Sequence, residues 1–148
     1  IQSGNVVFES EENAETLRPK LEKALADRFG LSANVVVRTA EQWERVLANC
    51  PFDASALKDK ESIQIAALTE PPSRKAMDAL EANRGESENY AVAGSDIYFL
   101  FRPSVLESKL AKCLPKLGDT ATMRNWNTAN RIAEMARDMA GPEGSPGN

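Results

Sequence analysis

Residues 90–101, YAVAGSDIYFLF, constrain the fold of this chain more than any other stretch. Tyr90–Ala93 and Ile97–Phe101 are rich in β-branched and aromatic residues and read as strands. Gly94-Ser95 joins them, and a two-residue loop with glycine first is a type II′ hairpin signal. Antiparallel pairing follows. Any architecture built only from parallel strands is thereby disfavoured.

The surrounding elements fall into place by periodicity. Ile1–Phe8 ends in Val6, Val7 and Phe8 and reads as a strand. Leu17, Leu21, Leu25 and Phe29 recur every four residues on one helix face. Pro19 suits a first helical turn, which makes Thr16 the expected N-cap, and Gly30 fits the left-handed residue that ends the helix. Val35–Val37 form a second expected strand. Thr39 and Gln42 match a capping box, opening a helix that buries Trp43, Val46 and Leu47 until Cys50-Pro51 stops it.

After a polar connector, Ile63–Leu68 is a third strand. Ser73 opens a short helix carrying Met77 and Leu80. Beyond the hairpin, Ser104 and Glu107 form a second capping box ahead of Leu106, Leu110 and Leu114. A last helix carries Ile132, Met135, Ala136 and Met139. The order is βαβα and then βαββαα. It implies an α+β fold of two small units with ferredoxin-like plaits, antiparallel or mixed sheets, and helices packed on one face. The expected units are 1–54, incomplete at its start, and 55–140, with 141–148 a flexible tail.

Composition removes several chemistries. There is no histidine, so Ser-His-Asp, Cys-His and histidine-ligated metal mechanisms are excluded. Cys50 and Cys113 lie far apart in no ligand-like cluster and read as reduced, which fits a cytoplasmic protein. No apolar run approaches the ~20 residues of a membrane-spanning helix. No catalytic constellation, metal loop or cofactor motif is recognisable. The chain opens without Met directly on strand-like residues, which implies that residues have been removed upstream.

The net charge is -4, a poor prior for a nucleic-acid binder. Residues 102–131 nevertheless carry six basic and two acidic side chains, which can mark an anion-facing surface. Two polar clusters stand out. Gln2-Ser3-Gly4-Asn5 sits beside the first strand. Thr120–Asn130 reads as the entrance to the last helix, where Thr122 or Asn125 caps and Arg124 meets the helix N-terminus.

At these clusters the sequence resembles a known bacterial family. The stretches IQSGNVVF (1–8), SKL (108–110) and TMRNWNT (122–128) carry the resemblance, with the Pro51-Phe52 step, the Glu70–Ser73 turn and the Gly94 hairpin. The family is domain of unknown function 1697. Its members open with a further strand and helix carrying a glycine-rich RGINVGG-like stretch, which this sequence lacks, and Pro103–Glu107 has no glycine where relatives tend to carry one. The resemblance implies two plait units in one chain and no particular activity. It singles out Ser3, Gly4, Asn5, Lys109, Arg124, Asn125, Trp126 and Asn127 as a shared polar pocket, with Asn5 and Asn127 brought together by folding.

The leading functional expectation is a binding module for a small anionic or nucleotide-like ligand. A nucleic-acid-binding plait using Tyr90, Tyr98, Phe99 and Phe101 is the alternative from another class. A protein-interaction module and an enzyme using carboxylates, Lys109 or Arg124 complete the field.

Overall fold

The computed structural model describes residues 4–30, 35–85, 88–102, 108–117 and 121–140. Helix α1 spans Ala14–Phe29 and α2 spans Ala40–Ala48. Strand β1 (Ser62–Leu68) leads to helix α3 (Arg74–Ala82), and the hairpin β2 (Asn89–Ala93) and β3 (Asp96–Phe101) follows. A 3-10 segment at Ala111–Leu117 precedes β4 (Ala121–Asn125) and α4 (Trp126–Ala140).

The four strands form one sheet in the order β2-β3-β1-β4, with every neighbouring pair antiparallel. The hairpin closes as expected: Ala93 pairs with Asp96 across Gly94-Ser95, and Gly94 takes φ +60. A side chain there would be strained by the left-handed backbone, although the space around it is open.

The α+β class holds, but helices cover both faces of the sheet rather than one. On the first face Ala66, Leu68, Ile97, Phe99 and Phe101 pack against Ala76 and Leu80 of α3 and against Leu110 and Cys113. On the second, Ile65, Ala67 and Tyr98 pack against Trp43 and Val46 of α2 and Ala129 and Ala133 of α4. The cause lies in the central strands. Residues 65–68 and 97–101 are buried without alternation, so an uncovered face would leave apolar side chains in water. Side-chain bonds tie the second layer down. The Trp43 indole donates to the Ala129 carbonyl at 2.9 Å, and the Tyr98 hydroxyl donates to the Val46 carbonyl at 2.6 Å.

Several local expectations change. Asn13, not Thr16, caps α1, its Oδ1 accepting from the Thr16 amide at 2.8 Å, and Pro19 lies inside the helix. The expected helix around Leu110 and Leu114 is a 3-10 segment where described, because Pro115 has no N–H to continue an α-helical ladder. The Ser104 and Glu107 box and the tail at 141–148 lie outside the described residues. Residues 4–8 and 35–37, expected as strands, join no ladder. The Val35 amide instead donates to Glu22 of α1 at 2.9 Å. Residues 121–125, expected as a helix entrance, form an edge strand paired with β1 from Gln64↔Asn125 to Leu68↔Ala121. That pairing satisfies the outer backbone groups of β1, which would otherwise be buried without partners.

The capping box of α2 is present in full, with Thr39 Oγ1 accepting from the Gln42 amide and Gln42 Oε1 from the Thr39 amide. No helix among the described residues is long and apolar enough to cross a membrane.

Candidate functional site

Folding brings the two sequence clusters together at one bond set. Arg124 lies on edge strand β4. Its Nε donates to Asn5 Oδ1 at 2.5 Å and its Nη2 to the Gly4 carbonyl at 3.1 Å, while Nη1 donates to the Met123 carbonyl at 2.6 Å. All three acceptors are neutral. Partial burial pulls the guanidinium below the usual arginine range, since a less hydrated cation is harder to keep charged. With the N-terminal segment occupying two of its five donors and the Met123 carbonyl a third, Arg124 works as a clamp on Gly4-Asn5.

The remaining cluster residues are dispersed. Asn125 caps α4, its Oδ1 accepting from the Thr128 amide at 2.8 Å. Trp126 packs half-buried against the second core, and Asn127 is exposed on the first turn of α4. Lys109 is exposed on the turn before the 3-10 segment. Ser3 lies outside the described residues. Among the described residues Asn5 meets Arg124, not Asn127.

The aromatic platform expected of a nucleic-acid binder is absent from the described surface. Tyr98, Phe99 and Phe101 are fully buried, the two Phe rings stacked at 5.4 Å. Tyr90 is half-buried, and its hydroxyl donates to Glu81 Oε2 at 2.8 Å. Covering the sheet on both sides removed these rings from reach. The basic stretch is also partly neutralised, since Arg102 pairs with Glu61 at 3.2 Å and Arg131 with Glu134 at 3.3 Å.

A second location was not foreseen. An open cleft of about 420 Å³ lies between α2, the Gly94-Ser95 turn and the end of β1. Gln42 and Arg45 of α2 line it with the C-cap Asn49, together with Thr69, Ser95 and Arg38. Arg38 is held rigidly. Its Nη1 donates to Asp96 Oδ1 and its Nη2 to the Leu68 carbonyl, both at 2.8 Å, and both partner side chains of the ion pair are largely buried. Burial pushes the Asp96 carboxyl above its ordinary range, and the Arg38 charge opposes that only in part. Arg45 is exposed, and its guanidinium has no hydrogen-bonded or ionic partner among the described residues.

The cleft escaped sequence reading because its parts are scattered over residues 38–98, each ordinary by itself. One signal was present: Arg38 directly follows Val35–Val37 and precedes the Thr39 cap, where an arginine is forced close to the core. Among the described residues no cluster of His, Cys, Asp and Glu could hold a metal ion.

No curated protein and no solved structure matches this chain. Residues 1–98 do match a family model, described as protein of unknown function (DUF1697). That span includes Gly4-Asn5, the Arg38–Asp96 pair and the whole cleft, while Lys109 and Arg124–Asn127 lie beyond it. The matched span is about two-thirds of the sequence, and the chain belongs to the family of proteins of unknown function DUF1697.

Proposed function

We propose that this protein is a binding module for a small anionic ligand, of phosphate-bearing or nucleotide-like type, and that the ligand sits in the cleft beside Arg38 and Arg45. One observation carries the reading. Two guanidinium groups line a single open hollow together with amide and hydroxyl side chains, and its one acidic side chain, Asp96, is already bonded to Arg38. Arg45 then offers a planar, permanently charged donor set suited to a phosphate or carboxylate. The Arg124 cluster is the weaker location, because its guanidinium is engaged by the Gly4-Asn5 segment.

Thermal unfolding with inorganic phosphate, nucleoside monophosphates and nucleoside diphosphates tests the proposal. A ligand present at a hundred times its Kd stabilises the fold by about 2.7 kcal/mol. Arg45→Gln is expected to abolish the shift while leaving the unliganded midpoint unchanged, because Arg45 is exposed. Arg124→Gln is expected to keep the shift. A shift that survives Arg45→Gln and disappears in Arg124→Gln returns the site to the original cluster.

A further inference from the structure

We infer that the free edge of β2 pairs with the same edge of a second copy of this chain, joining two four-stranded sheets into one across a two-fold axis at Ala91. Strand β2 is an edge strand among the described residues, where its only ladder is with β3. Residues 89–95, NYAVAGS, carry no charge and no proline, the two devices that commonly protect an edge.

The register decides which groups face outward. In a two-residue hairpin the closing pair is hydrogen-bonded, so Ala93↔Asp96, Ala91↔Tyr98 and Asn89↔Leu100 exchange bonds. Tyr90 and Val92 therefore direct their N–H and C=O groups away from β3. An independent observation agrees: the Tyr90 amide donates to Asn89 Oδ1 at 2.9 Å instead of to the ladder.

This edge is complementary to itself. Antiparallel pairing about Ala91 sets Tyr90 against Val92 of the second copy, and Val92 against its Tyr90. All four outward backbone groups on each strand then find partners. The same register brings an aromatic ring beside a β-branched side chain on one face, a favourable cross-strand pair. The Asn89 side chain holds the place of an incoming carbonyl, so association exchanges one local bond for an interchain one. A single short strand buries little area, which makes the dimer weak and concentration-dependent.

Sedimentation equilibrium over a roughly hundredfold concentration range is expected to show the mass rising from 16.2 kDa toward twice that value. Val92→Pro removes only an outward N–H and leaves the β3 ladder intact, so it is expected to hold the chain monomeric throughout. Val92→Lys, with circular dichroism confirming the fold, is expected to do the same and stands in if the proline variant fails to fold. Asn89→Ala frees the Tyr90 amide and is expected to raise the dimer fraction. A wild-type chain monomeric at every concentration overturns the inference, as does a dimer that persists in the folded Val92 variants.

Discussion

At the scale of single residues, Tyr98 shows how one polar atom is accommodated in a closed core. Its ring is 1% exposed between the sheet and α2. Val46 lies in the last turn of α2, where backbone carbonyls lose their helical partners. The amide of Cys50, which would have served it, donates to Leu47 instead. The Tyr98 hydroxyl fills the vacancy at 2.6 Å. Tyr98→Phe is expected to cost about 1–3 kcal/mol, because the Val46 carbonyl is left buried and unpaired; urea unfolding measures it. The same burial raises the Tyr98 pKa from 10.0 to about 12, with Asp96 and Cys50 adding to the effect. A raised acid pKa favours the protonated form in the fold. The associated stability is therefore full below pH 10 and lost as pH rises from 10 toward 12. Denaturant midpoints across that window should fall for the wild type and fall less for Tyr98→Phe.

At the scale of elements, the order of packing explains what was readable in advance. The hairpin, the α2 capping box and the Gly30 terminus of α1 are set by residues within a few positions of each other, and each formed as its local chemistry dictates. The β4 strand was missed for the opposite reason. Residues 121–125 have no strand pattern of their own and are extended because β1 offers them a ladder 53 or more positions earlier in the chain, as in Gln64↔Asn125 and Leu68↔Ala121. The double-sided core was legible in principle, since IAAL and IYFLF are continuous apolar runs rather than alternating ones. The cleft was not legible at all, because it depends on how α2 meets a turn 50 residues away. A capping prediction belongs at this scale. Thr39→Ala removes one side of the box and is expected to destabilise by ~1 kcal/mol, while Thr39→Ser keeps the bond to the Gln42 amide and restores most of it. Thermal unfolding of both variants checks the pair.

At the scale of the whole molecule, cohesion is uneven. The sheet and its two covering layers hold every fully buried side chain among the described residues. Helix α1 has none: Leu17, Leu21 and Leu25 are half-buried, and Phe29 is 63% exposed. The preceding residues are anchored by Arg124, while Val6 is 79% exposed and Phe8 43%. Regions with few buried contacts open locally at less free energy than the fold as a whole. Native-state hydrogen exchange should therefore divide the chain. Amides of β1 and β3 are expected to exchange only through global unfolding, with a free energy that falls linearly in denaturant. Those of α1 are expected to exchange through a smaller, nearly denaturant-independent opening. Arg124→Ala sharpens the test. It releases Gly4-Asn5 without removing apolar contact from either core, so protection around residues 4–30 should drop while the protection of β1 and β3 changes little. Equal loss in both regions would mean that the N-terminal segment and the sheet unfold as one cooperative body, and that the Arg124 clamp sustains the whole domain rather than its edge.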